Sequence, residues 1–242
     1  MNVTFITTYG KEYHDKVLPT IKTLPQPIRW YVDDVQYANE IKEQHNLDVE
    51  ILLGEWDDFA IFEPNPFRYA GVNMVIYAMH HLISENLYDK AVYVDPDVIN
   101  LGGVEELFEI DCNNYQVMCS NAGNWLEQTE SPSYYGINGG VYLFNLVNLR
   151  LDVPLQFHEV LTARDDEQYF VSHNLNQGGH LTGKIGRFNT IYNFYIDDRF
   201  MDSAHYKQAL KMLPKAKILH FMSPKWHDRK GIMANLYQKY FE

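Results

Sequence analysis

Cysteine is scarce in this chain: Cys112 and Cys119 are the only 2 among 242 residues, and they form no C-x-x-C pair. That excludes a disulfide framework, and a thiolate zinc site would need more ligands. Such usage fits a reducing compartment, so a cytoplasmic location is expected. Basic charge is also short. Lysine and arginine number 20 against 32 aspartates and glutamates, a net charge of −12. A body this acidic repels phosphate backbones and anionic membranes at long range, which makes nucleic acid a disfavoured partner. No uninterrupted apolar run reaches the roughly 18 residues that suggest a membrane helix, so no transmembrane segment is expected. The short apolar stretch near Met1 lacks the basic flank and cleavage site of a signal peptide. Repeats, low-complexity blocks and Gly/Ser linkers are missing as well, and the expectation is one domain over residues 1–242.

The chain is otherwise well supplied for folding. Hydrophobic residues make up 46% of it and aromatics 14%, enough for a sizeable core and for a polar site lined with rings. Val3-Thr-Phe-Ile-Thr7, Ile28-Arg-Trp-Tyr-Val32 and Val49-Glu-Ile-Leu-Leu53 read as buried strands, being rich in β-branched and aromatic residues. Between them, Val17, Leu18, Ile21 and Leu24 recur at helical spacing until Pro25, and residues 36–45 read as a second helix. The longest helical stretch runs from Phe67 to Asn86, ahead of an apolar strand at Ala91–Val94. Further strands are expected at Tyr115–Cys119, Gly140–Phe144 and Lys217–His220. Strands alternating with helices give an α/β class with a mostly parallel central sheet. Sites in such sheets lie beyond the carboxyl ends of the strands.

Asp95-Pro96-Asp97 sits directly after the Ala91–Val94 strand. Pro96 fixes its own φ and suits a rigid turn, and two carboxylates there repel each other unless a cation or donors compensate. Hard divalent ions such as Mg²⁺ or Mn²⁺ take such oxygen ligands and leave positions free for phosphate oxygens. A simple turn is the bland alternative. A second short apolar strand ends on His220. A histidine there is ordinarily a packed core residue, yet beside two carboxylates an imidazole completes a set that suits Mn²⁺. Lys225 follows in Ser-Pro-Lys-Trp and would neutralise a phosphate if it faced one; otherwise it is a solvated lysine. Asn138-Gly139-Gly140 precedes an apolar strand, and glycines there suggest either a tight turn or close backbone approach to a ligand. Asp165-Asp166-Glu167-Gln168 opens an expected helix, where acidic residues offset the helix dipole or place a carboxylate or amide beside a sugar.

In order, these pieces resemble the GT-A glycosyltransferases, most closely family 8, which includes glycogenin and bacterial galactosyltransferases. The family pattern is a long helix, a D-x-D motif, an F-N-x-G stretch before a strand, a D-Q stretch opening a helix and a late H-F…K-P-W. Here it is met by Asp95-Pro-Asp97, Ile137-Asn-Gly-Gly140, Asp166-Glu-Gln168 and His220-Phe221 with Lys225-Trp226, and the likeness spans roughly residues 1–230. It implies a GT-A fold with a nucleotide-binding half over about residues 1–100 and an acceptor half over about 101–242. It also implies a nucleotide-diphosphate sugar donor, usually a UDP-sugar, transferred to an acceptor hydroxyl with retention of configuration. By carry-over Asp95, Asp97 and His220 ligate Mn²⁺ or Mg²⁺, and Lys225 holds the departing diphosphate. Thr7, Thr8 and Tyr9 cradle the nucleotide, Asn138 and Gly139 line the donor sugar, and Asp166, Glu167 and Gln168 lie near the sugar ring and acceptor. Where the family carries arginine ahead of D-x-D this chain has Tyr77-Ala78-Met79, so Arg68 is the candidate for that cation. The acceptor class stays open: glycan, protein, lipid-linked sugar, small molecule or, against the charge, a hydroxylated base in nucleic acid.

Rival readings fit less well. A sugar nucleotidyltransferase would carry a Gly-rich basic loop after its first strand, whereas Thr7-Thr-Tyr-Gly-Lys11 has one glycine and one lysine. No G-x-G-x-x-G follows a strand, which excludes a dinucleotide-binding reading. A phosphatase with D-x-D-x-T would place it on the first strand, but Ile99 stands where its threonine would be. A non-catalytic nucleotide-sugar or glycan-binding protein on the same fold is the alternative from another class. The carboxyl-terminal stretch, with Ile232, Leu236 and Tyr240 at helical spacing, is expected to pack on the domain.

Overall fold

The computed structural model describes residues 1–54, 66–121, 137–152, 185–196, 204–221 and 231–241. The strands are β1 (Asn2–Thr8), β2 (Ile28–Val32), β3 (Glu50–Leu53), β4 (Lys90–Val94), β5 (Val98–Asn100), β6 (Val117–Asn121), β7 (Ile137–Asn145), β8 (Ile185–Arg187) and β9 (Ile218–His220). Between them run α1 (Lys11–Lys16), α2 (Leu18–Ile21), α3 (Val35–His45), α4 (Pro66–Glu85), α5 (Gly103–Glu109) and α6 (Leu146–Asp152), with later helices at Ala204–Met212 and Ile232–Phe241.

Seven strands form one sheet in the order β3-β2-β1-β4-β7-β6-β8. Neighbours are parallel except at β7, which runs against both β4 and β6. The α/β class with a mostly parallel sheet is therefore met. β1 lies between β2 and β4 and is covered on both faces, so its side chains read as a continuous apolar and threonine run, as parallel strands do. Val3, Phe5, Tyr31 and Tyr93 pack with α4 and α6 on one face; Ile6, Trp30, Val92 and Val94 pack with α3 and α5 on the other. Successive residues of β1 thus supply opposite cores, the period-2 alternation of a strand.

The expected helix through Val17 and Leu24 is instead two short ones, α1 and α2, broken at Val17. Pro19 lies in the first turn of α2; without an N–H it cannot continue the ladder of α1, but it is tolerated at a helix start. β7 begins at Ile137, so Asn138, Gly139 and Gly140 belong to the strand and do not form a turn before it. The sequence reading also overlooked β5 and β8, each only three residues long.

β5 and β9 pair antiparallel as a separate two-stranded ribbon. A third apolar cluster, Ile99, Phe194, Leu219, Phe221 and Met233 among its members, joins this ribbon to the two later helices. As the sequence indicated, Ile232, Leu236 and Tyr240 turn toward the domain. Among the described residues no helix is long and apolar enough to cross a membrane.

Candidate active site

Because β1 and β4 are parallel with Ile6 opposite Val94, the residues that follow each strand emerge at one edge of the sheet. At that edge stand Thr7 and Thr8, the last residues of β1, with Tyr9 beyond them, and Asp95 to Asp97 after β4. At Asp95 the chain leaves β4 but keeps one more ladder bond, its N–H donating to the Gly140 carbonyl at 2.9 Å. Pro96 then turns the backbone, and Thr20 fastens the turn by donating its hydroxyl to the Pro96 carbonyl at 2.7 Å. After Asp97 the chain enters β5, where Val98 faces His220 on β9. The Phe221 N–H donates to the Asp97 carbonyl at 3.0 Å. The ribbon thus carries His220 to Asp97 across 123 residues of sequence (220 − 97).

Asp95, Asp97 and His220 converge, with ligand-type atoms all within 4.8 Å of one another. His220 Nε2 lies 3.5 Å from Asp95 Oδ2 and 3.4 Å from Asp97 Oδ1. Asp97 and His220 are buried, while Asp95 is about one-third exposed and opens the cluster to solvent. Tyr93, two residues before Asp95 and on the same face of the strand, donates its hydroxyl to Asp95 Oδ1 at 2.5 Å. Asp97 Oδ1 is buried and faces His220 Nε2 at 3.4 Å, too long for a strong hydrogen bond. A buried carboxylate oxygen held only by so long a contact is poorly compensated, and a divalent cation is a partner that this O/O/N set fits. Burial opposes charge on His220, but the Asp97 and Asp95 carboxylates outweigh it and lift the imidazole to about 9. Burial also pushes the Asp97 carboxyl up, against the pull of His220.

The His220 ring packs closely against the backbone of β7 at Gly140. A Cβ placed on Gly140 would stand 2.1 Å from its Cε1 and 2.3 Å from its Nδ1. The close backbone approach that the paired glycines suggested is thus made at Gly140, and the group approaching is the imidazole. His220 Nδ1 lies 2.9 Å from Asn193 Oδ1, with Asn193 in the 3₁₀ turn Thr190–Asn193.

The other expected site residues are placed as follows. Thr7 and Thr8 are buried and Tyr9 is half-buried at the mouth of the edge. The Thr8 hydroxyl accepts from Trp30 Nε1 at 2.7 Å and sits 2.9 Å from His14 Nδ1, so it faces the core between β2 and α1. Asn138 and Gly139 lie on β7 beside Gly140, both buried. Arg68 falls in the first turn of α4, with its side chain outside the described residues. Asp166, Glu167, Gln168 and Lys225 lie outside the described residues altogether. Asn193, Gly140 and Tyr93 were not among the expected site residues. Gly140 was readable only as one of a glycine pair, and Tyr93 only by its i, i+2 spacing from Asp95; Asn193 carried no signal.

The sequence profile of glycosyl transferase family 8 matches residues 29–229. The chain belongs to that family. A "Putative glycosyltransferase" of Haemophilus influenzae is 24% identical over 95% of this chain and 74% of its own. Among solved structures, an active-site mutant of LgtC superposes with a TM-score of 0.63 at 19% identity, covering 99% of this chain and 94% of that one. The galactosyltransferase LgtC in complex with donor and acceptor sugar analogues gives 0.60 at 20% identity, covering 94% and 90%. This family 8 glycosyltransferase therefore has the GT-A architecture, and its carboxylate–imidazole cluster stands at the carboxyl edge of the sheet, where α/β proteins place their ligands.

Proposed function

We propose that this glycosyltransferase moves a sugar from a nucleotide-diphosphate donor, a UDP-sugar on the family likeness, to an acceptor hydroxyl with retention of configuration. Asp95, Asp97 and His220 hold a divalent cation, Mn²⁺ or Mg²⁺. The observation that carries this reading is the convergence of Asp95, Asp97 and His220 at the carboxyl edge of the sheet, with ligand-type atoms all within 4.8 Å of one another. The solved relative bound to donor and acceptor analogues supports both kinds of partner. Free, buried Cys112 and Cys119 fit the reducing conditions of the cytoplasm, and the whole of residues 1–242 acts as one GT-A domain.

When bound, the cation supplies Lewis-acid stabilisation of the diphosphate as the bond to the sugar breaks. The protein's own share begins with placement. Tyr93 holds the Asp95 carboxylate by one oxygen, and burial excludes water from Asp97 and His220, which strengthens each charge interaction there. Thr7 to Tyr9 border the nucleotide at the β1 end. Lys225 sits beside the leaving diphosphate and offsets its growing negative charge. Asp166, Glu167 and Gln168 face the sugar, where positive character develops on the anomeric carbon, and Arg68 adds a cation from α4. Gly139 leaves room for the donor sugar beside β7.

The test is nucleotide release from UDP-, GDP-, ADP- and TDP-sugars, with and without Mn²⁺, for the wild type and Asp97→Asn. Metal-dependent release from one donor, lost in the variant, is the expected result. Tight binding of UDP with Mn²⁺ but no release with any acceptor class would make the chain a binding protein. Release independent of metal and unchanged in Asp97→Asn would overturn the assignment.

A further inference from the structure

We infer that Asn193 and Asn138 form a polar relay that fixes which nitrogen of His220 faces the cation, making Asn193 a positioning residue of the metal site. The inference rests on the proposed role of Asp95, Asp97 and His220. The relay starts at a group whose polarity cannot change. The Gly140 backbone N–H, which can only donate, gives its hydrogen to Asn138 Oδ1 at 3.0 Å. That fixes the orientation of the Asn138 amide, whose oxygen also accepts from Asn193 Nδ2 at 2.8 Å. Asn193 Nδ2 lies within 3.3 Å of the Asn138 backbone carbonyl as well. With its amide nitrogen held by two acceptors, Asn193 must turn its oxygen to the other side, and there it meets His220 Nδ1 at 2.9 Å. An amide oxygen only accepts, so Nδ1 carries the hydrogen. Nε2 is left as the nitrogen facing Asp95 and Asp97, holding a proton toward those carboxylates without the cation and giving its lone pair to the cation once that proton is displaced.

All three side chains are buried: Asn193 is 1% exposed, His220 4% and Asn138 6%. Buried polar groups that are fully connected specify one geometry, and reversing any link leaves two acceptors or two donors facing each other. Gly140 closes the arrangement from the other side. Its backbone starts the relay, and its missing Cβ makes the space in which the ring lies. Ring position and ring polarity are thus both set from β7. The Asn138 side-chain oxygen is thus engaged by Asn193 and by the Gly140 backbone. Hydrogen-bond partners of metal-bound histidines typically govern affinity by 10–100-fold.

The experiment uses the full chain and the metal alone. Cd²⁺ serves as a diamagnetic probe for NMR of ¹⁵N-histidine-labelled protein, and Mn²⁺ affinity is measured by electron paramagnetic resonance. In the wild type, cadmium coupling is expected on Nε2 of His220, with a proton retained on Nδ1. Asn193→Leu removes the bonds to Asn138 and to His220; Mn²⁺ affinity should fall at least about tenfold, and the Nδ1 proton should exchange freely. Asn193→Asp keeps an acceptor toward Nδ1 but opposes Asn138, so it should lose thermal stability like the leucine variant while keeping Mn²⁺ affinity within about threefold. Cadmium coupling on Nδ1, or equal Mn²⁺ affinity in all three folded proteins, would overturn the relay. Wild-type protein that takes up neither ion would instead remove the metal reading itself, and the relay with it.

Discussion

Replacing Gly140 by alanine tests the packing of the metal site through one methyl group. The added Cβ would meet His220 Cε1 at 2.1 Å, Nδ1 at 2.3 Å and Nε2 at 2.8 Å. Carbon atoms settle at about 3.5–4.0 Å, so the ring must retreat by roughly 1.4 Å or more. Backbone conformation is not the obstacle, since Gly140 is not among the glycines with positive φ. β7 cannot yield instead, because Gly140 is tied to Asn138 through its N–H and to Asp95 through its carbonyl. Metal–ligand distances tolerate only about 0.2 Å of error, so a displaced ring ceases to be a ligand. Overpacking of this kind costs about 1–3 kcal/mol of stability, and loss of the imidazole should lower Mn²⁺ affinity by about 100-fold or more, beyond the range set by outer-shell partners. The assay pairs a thermal melt with an Mn²⁺ titration followed by electron paramagnetic resonance. A folded Gly140→Ala protein that binds Mn²⁺ like the wild type would refute the placement of His220 against β7.

Tyr93→Phe removes the hydroxyl that holds Asp95; because Asp95 is partly exposed and water can replace that donor, Mn²⁺ affinity should fall about tenfold, at the lower end of such effects. An unchanged titration would show that the Tyr93–Asp95 bond does not shape the site. The pH dependence has two opposite senses. In the metal-free protein His220 is raised from 6.5 to about 9, so its contribution to stability is complete below about 6.5 and is lost as pH rises through about 9. Cation binding must displace that proton from Nε2, so anaerobic Mn²⁺ affinity should rise up to about tenfold per pH unit between pH 7 and 9 and then level off. A flat profile over that interval would contradict the charge assignment.

Much of the architecture was legible in the sequence because its strands are fully buried. β1, β2 and β4 are nearly unbroken runs of β-branched and aromatic residues, and their bounds agree with the expected strands to within a residue. The split between α1 and α2 was missed because apolar spacing continues through Pro19 while the hydrogen-bond ladder does not. β5 and β8 were missed because each has three residues and ends in a polar one, whereas the equally short β9 stood out within the apolar run Ile218-Leu-His-Phe221. For the site, Asp95 and Asp97 announce themselves by adjacency after a strand. His220 was legible as a candidate, but what delivers it, the pairing of Val98 with His220, is a long-range register with no local signature. Asn193 is the plainest example of what sequence leaves hidden. It stands among aromatic residues, and its role depends wholly on a fold that places it 2.9 Å from an imidazole nitrogen 27 residues away. The folding also altered the meaning of Gly140, which is needed for the ring that lies on it.

In the proposed mechanism a divalent cation sits between Asp95, Asp97 and His220 and meets the donor's diphosphate. Crystals grown with UDP and Mn²⁺, measured at a wavelength where manganese scatters anomalously, test it most directly. One strong anomalous peak is expected in contact with His220 Nε2 and both carboxylates, with the diphosphate of UDP completing its shell. A peak elsewhere, or UDP bound at the β1 edge with no manganese near these three side chains, would contradict it.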